Sequence, residues 1–168
     1  MIISVADFKN LVSTDASNDV LEAKLGAMEA MIRQYTNNRF IRRDINTEVV
    51  ISGTSMVMTD VVFSAGDTID INGRVLVISS IDGTTATLST NPRMAGTFKA
   101  YLVEYPKDVV NGVVNLMKWD LVNGDKTGIK SETLSRYSVT YYDMDASAKL
   151  GYPASLVGFM SNYRRARV

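Results

Sequence analysis

The sequence predicts an α+β protein, a small bundle of three to four helices carrying an inserted β module of small-barrel or sandwich type. Apolar residues recur at helical spacing before residue 46 and again after residue 104. Between those positions β-branched residues dominate, glycines recur and the pattern alternates with period two. Neither flanking helix can bury its apolar stripe alone, so the two should pack together. Residues 1–45 and 105–168 therefore read as one helical domain, and residues 46–104 as an insertion in it.

"SVADFKNLV" opens with a short helix, capped by Ser4, with Val5, Phe8, Leu11 and Val12 on one face; "STDAS" is a polar loop. A long helix begins near Asn18 or Asp19, where Asp19 and Glu22 have the spacing of a capping box. Leu21, Leu25, Met28, Ile32 and Tyr35 form its stripe, and Asn37 and Asn38 suit its C-terminal cap. "EVVIS", "SMVMTDVVFS", "DTIDI", "RVLVISSI", "TATLS" and "FKAYLVEY" are strands, with "DING" and "IDGT" as hairpin turns. The stretch "GDTIDINGRVLVISSIDGTTATLS" has the cadence of a small SH3-like barrel.

Helical pattern returns in "YPKDVVNGVVNLMKWDLVNG", with Pro106 in the first turn. Val110, Val114, Met117 and Leu121 form the stripe, with Val109 and Val113 beside it. Gly112 inside this helix costs about 1 kcal/mol relative to alanine, which points to close helix packing there. "GDKTGIKSETLSRYSVTYYDMD" is a polar loop running into an extended segment in which Val139 and Tyr141 alternate with Ser138 and Thr140. In "GYPASLVGFMSNYRRARV", Pro153 starts a last helix with Leu156, Val157, Met160 and Tyr163 on one face.

The chain has no cysteine and no histidine, which removes disulfides, thiolate metal sites and the usual general base near neutral pH. Eighteen basic and eighteen acidic residues cancel, so no global charge favours nucleic acid. The start "MIISVADFKN" lacks a signal-peptide pattern, and no apolar run reaches the roughly 18 residues of a bilayer span, so a soluble protein made in the cytoplasm is expected. Two carboxylate pairs, Asp67 with Asp70 and Asp143 with Asp145, have the proximity to hold a metal or divide acid and base roles. The simpler reading of both is turn aspartates bonded to their own backbone. A hydroxyl nucleophile without histidine needs a lysine or N-terminal amine, and no such spacing, P-loop or dinucleotide fingerprint is present. No enzymatic activity and no cofactor are expected.

Recognition chemistry is more visible. Arg39, Arg42 and Arg43 follow the long helix, where they either complement its dipole or meet a partner. Arg164, Arg165 and Arg167 crowd the tail, and arginine binds carboxylates and phosphates in bidentate fashion. Tyr137, Tyr141, Tyr142 and Tyr152 gather before the last helix, either as interface anchors or as a local core. The nine methionines mostly fall on helix stripes, as core filling.

Taken together, "DVLEAKLGAMEAMIRQYTNNRF", "GIKSETLSRYSVTYYD" and "GYPASLVGFMSNYRRARV" resemble the head–tail connector, or head-completion adaptor, proteins of tailed phages. The Gly-Tyr-Pro start and Arg-Arg-x-Arg finish of the tail are the most specific parts, and the resemblance covers roughly half of the chain. The 46–104 insertion departs from it. The resemblance implies a non-catalytic virion protein at the head–tail interface, self-associating into a ring, a dodecamer matched to the portal protein. Such a ring extends the DNA channel, passes DNA without gripping it, and offers a platform to the next connector or stopper. It assigns docking on the portal or a neighbour to Tyr152, Pro153, Leu156, Phe159, Tyr163, Arg164, Arg165 and Arg167, in an arm that orders only against that neighbour. Tyr137, Tyr141 and Tyr142, with Arg39, Arg42 and Arg43, fall at a subunit boundary. Three alternatives stand beside it: a stopper or tail-completion protein, a non-viral β-barrel binding module on a helical scaffold, and an enzyme acting through Asp143 and Asp145.

Overall fold

A computed structural model describes residues 1–124, 131–134, 137–140 and 148–166. The chain divides into two units, one of Asn38–Tyr105 with Met1, the other of Ile2–Asn37 with Pro106–Val168. Residues 38–45, grouped with the helices by sequence pattern, belong to the first of these.

That first unit is a closed antiparallel barrel of six strands: β1 (Ile41–Ser52), β2 (Ser55–Met58), β3 (Thr68–Ile71), β4 (Arg74–Asp82), β5 (Thr85–Leu88) and β6 (Gly96–Val103). Neighbours run β1-β2-β5-β4-β3-β6, and β1 closes the ring on β6. Closure removes the free edges that an open sheet would present. Period-two alternation sends Val49, Ile51, Met56, Met58, Ile69, Ile71, Leu76 and Ile78 inward, where Phe63, Ala86, Leu88 and Ala100 complete the core. Asn72 (φ 51) and Gly73 (φ 85) form the two-residue β3–β4 hairpin, a left-handed pair that Asn-Gly tolerates. Gly53-Thr54 and Gly83-Thr84 make the other two tight hairpins.

Two expectations change here. β1 starts five residues before residue 46, so "RFIRRD", which follows α2 as expected, runs into a twelve-residue strand, bulged between Arg42 and Asn46. "SMVMTDVVFS" supplies only the four residues of β2. Its remainder turns back, with the Thr59 N–H on the Glu48 carbonyl and Phe63 buried in the core.

The second unit holds α1 (Val5–Leu11), α2 (Asn18–Thr36) and α3 (Lys107–Asn123), then a hairpin of β7 (Ser131–Leu134) and β8 (Tyr137–Thr140). A two-residue pairing of β9 (Ala148–Lys149) with β10 (Tyr152–Pro153) leads to α4 (Ala154–Val157) and a 3₁₀ turn, Gly158–Tyr163. Ser17, two residues before Asp19, caps α2 by accepting the Val20 N–H at 3.4 Å, so the helix starts at Asn18 with Asp19 inside its first turn. Asn37 ends α2 in the left-handed conformation (φ 48). The buried face of α3 is also partly rotated from the expected one. Val109, Gly112, Val113, Val114, Leu116 and Met117 are buried, so Val114 and Met117 of the expected stripe hold, while Val110 and Leu121 are only partly covered. The polar stretch expected to be one extended segment makes two paired strands. The tail is not one amphipathic helix but a four-residue α turn continued by a 3₁₀ turn, started by a proline that cannot donate.

Candidate functional site

The segment from Tyr152 to Ala166 is folded onto α2 and α3 by contacts along its whole length. Val157 (2% exposed) and Met160 (0%) are buried. The Phe159 ring lies on Gly112 so closely that a β-carbon there would stand 2.4 Å from Cε1. This is the close approach that a glycine inside a helix implied. Tyr152 meets Trp119 edge to face at 5.5 Å. Beside them, Lys24, Ala27, Met28, Met31, Asp120 and Tyr152 line a cleft of about 130 Å³, with Lys24 and Asp120 paired across it. Burial, with Asp120 adding to it, pushes the Tyr152 hydroxyl above its ordinary pKa.

Further along, the Tyr163 hydroxyl donates to the Asp108 carboxylate, 2.6 and 2.7 Å from its two oxygens. That bond raises the Tyr163 pKa, because ionisation would set a phenolate against the carboxylate. The Arg165 N–H donates to the Thr36 carbonyl (2.8 Å), and Asn37 Nδ2 donates to the Ala166 carbonyl (2.9 Å). Arg164 stacks its guanidinium over Tyr35 at 5.2 Å. Both Arg164 and Arg165 nonetheless remain exposed.

The expectation that this arm orders only against a neighbour is therefore corrected: its own helices hold it, through apolar burial and five polar or ring contacts. Of the expected docking residues, Pro153 is buried and Phe159 is committed to Gly112. Tyr152 and Leu156 are half-buried, Tyr163 bonds Asp108, and Arg167 lies outside the described residues.

The second arginine group sits in the barrel unit. Arg39 forks onto Asp70, with Nε 3.2 Å from Oδ2 and Nη2 on Oδ1, and Asp70 is fully buried. This hydrogen bonding raises the Arg39 pKa against the opposing effect of burial. Arg42 forks onto Asp44 (3.0 and 2.7 Å) and reaches Glu104, which holds the Asp44 carboxyl below its usual range. Arg43 is exposed, and its guanidinium has no partner among the described residues. Two of the three arginines expected at a subunit boundary are thus paired with carboxylates of their own unit. Tyr137 belongs to the other unit, in β8 opposite Leu134. Tyr141 and Tyr142 lie outside the described residues, as do Asp143 and Asp145.

Asp67 and Asp70 do what turn aspartates do. Asp67 Oδ2 accepts the Ser64 N–H (2.7 Å), and Asp70 Oδ1 accepts the Gly73 N–H (2.9 Å). Among the described residues no group of three or more acidic, histidine or cysteine side chains is placed to hold a metal, and no helix is long and apolar enough to cross a membrane. The Lys24–Asp120 cleft and the Tyr163–Asp108 bond carry no local signal in the sequence. Only the position of Asp108 in the first turn of α3 marks it as a group with a role. Comparison of the sequence with known protein families and with curated proteins finds no match.

Proposed function

We propose that this chain is a non-catalytic structural protein of a tailed-phage virion, a ring-forming connector beneath the portal that extends the DNA channel and joins head to tail. In this reading α1–α4 are a small connector-type bundle, and the barrel is an insertion carried between α2 and α3. The portal lies on one side, the next connector or stopper on the other, and DNA passes without being bound.

The observation that carries the reading is the arginine-bearing tail. Its backbone is fixed by Thr36 and Asn37 while Arg164 and Arg165 face solvent. Guanidinium groups on a fixed backbone lose little freedom when a partner's carboxylates meet them, as a docking element requires. The net charge of zero suits a channel wall, since each neutralised phosphate would add grip on the passing duplex. The test is complementation. Particles assembled without this chain should accumulate as filled heads and free tails, and the purified protein should join them. Heads that acquire tails without it refute the proposal.

A second reading, the barrel as a binding module, is favoured by one feature. Val50 (51% exposed) and Val57 (43%) face each other across β1 and β2 on the outer surface. Replacing both by serine leaves head–tail joining intact if the helical unit does the work, and abolishes it if the barrel does.

A further inference from the structure

The helical unit carries two opposite charge poles that cannot meet each other. One is the α1–α2 junction, where Asp15, Asp19 and Glu22 are exposed and make no ion pair among the described residues. Two large apolar side chains stand exposed among them, Leu11 at 60% and Val20 at 46%. The other pole is the end of the tail. Between Leu150 and Ala166 there is no carboxylate, and Arg164 and Arg165 are both exposed. Arg164 rests on Tyr35 and the Arg165 backbone on Thr36, so this pole sits at the far end of α2. From Asp19 to Tyr35 the helix rises about 24 Å at about 1.5 Å per residue, several Debye lengths at physiological salt.

The dipole of α2 accounts for the placement of Asp19 in its first turn. It also favours cations at the far end, where Arg164 and Arg165 sit, but it does not account for Asp15 in the preceding loop or for the exposed Leu11 and Val20. A single helix keeps the poles apart, so their complementarity can be used only between molecules. Because the two patches differ, the contact is heterologous and propagates head to tail until it closes.

We infer that the partner of the arginine-bearing end is a second copy of this chain, with Arg164 and Arg165 of one copy meeting Asp15, Asp19 and Glu22 of the next around Leu11 and Val20. This rests on the ring reading above and names its surfaces. Charge complementarity of this kind sets register and encounter rate, and the desolvated apolar pair supplies the contact that charge alone does not.

The test is charge exchange in the full chain. Asp15→Lys with Asp19→Lys makes both poles basic, and Arg164→Glu with Arg165→Glu makes both acidic. Both sets change exposed positions whose side chains make no hydrogen bond; Arg164→Glu gives up the stacking on Tyr35, and circular dichroism checks that the fold persists. By light scattering, the unaltered protein should self-associate at low salt. The association should weaken at least tenfold as ionic strength rises from about 0.1 M to about 1 M, where the Debye length falls from about 10 Å to about 3 Å. Each reversed variant alone should stay monomeric, and an equimolar mixture should associate again. Unaltered protein that stays monomeric, variants that associate as it does, or a mixture that fails to associate each overturn the inference. The complementation assay separates this from the connector reading. Variants that assemble no rings in solution yet still join heads to tails overturn the role of these surfaces and leave the connector intact.

Discussion

Gly112→Ala tests the packing of the tail on α3 with a single methyl group. The new β-carbon would lie 2.4, 2.5 and 2.7 Å from three carbons of the Phe159 ring. Ordinary carbon contacts are about 3.5–4.0 Å, so the ring must move by about 1 Å or more. Overpacking of this kind costs about 1–3 kcal/mol. Alanine in place of glycine inside a helix returns about 1 kcal/mol, so the net change is a loss of up to about 2 kcal/mol. Two controls separate the terms. A β-carbon added at Gly26 in α2 would meet nothing within 4 Å, and Gly26→Ala should stabilise by about 0.5–1 kcal/mol. In a Phe159→Ala background the clash is gone, and Gly112→Ala should itself stabilise by about 1 kcal/mol, a coupling of about 1–3 kcal/mol. The assay is urea unfolding followed by Trp119, the sole tryptophan, which sits in the helical unit beside Tyr152. If Gly112→Ala matches Gly26→Ala in both backgrounds, Phe159 does not occupy the position described and the tail is not seated on α3.

Other perturbations follow from the same contacts. Arg39→Ala removes the guanidinium from the fully buried Asp70 carboxylate and should cost about 1–3 kcal/mol, reduced from a fully buried pair because Arg39 is half exposed; unchanged thermal unfolding of the barrel would refute the pairing. Gly73→Ala forces a β-carbon onto a residue at φ 85 and should cost about 1–2 kcal/mol in the same melt; an unchanged melt would refute the turn. Tyr152 and Tyr163 both have raised pKa values, so the stabilisation they contribute is complete below the unfolded tyrosine value near 10 and lost as pH rises through the folded values. The helical unit should therefore weaken above about pH 10, and Tyr152→Phe with Tyr163→Phe should flatten that loss in alkaline unfolding curves.

Where local chemistry decides structure, the residues announce it. The Asn72-Gly73 turn, the Asn37 cap, the Leu21–Leu25–Met28–Ile32 stripe and the close approach at Gly112 all follow from one residue's backbone preference or from a simple period. The misreadings arise where long-range pairing overrides that local signal. "RFIRRD" reads only as the stretch after the helix, because only the register of β1 against β6, and the Arg39 partner Asp70 thirty-one residues away, tie it to the barrel. The face of α3 reads partly off because Val109, Val110, Val113 and Val114 fit two stripes equally, and the packing of α2, α4 and the 3₁₀ turn on α3 selects between them. The tail arginines are legible as a patch, but their fixation by Thr36 and Asn37 joins residues more than a hundred positions apart and leaves no local trace.

The most direct test of the connector role is the mass of the purified full chain mixed with its portal protein. Deleting the tail is a poor version of it, since Val157 and Met160 are part of the core. A connector should give a complex of portal ring plus an equal number of these chains, and the complex should persist with Val50 and Val57 replaced by serine. A chain that remains a monomer beside an unoccupied portal would contradict that role.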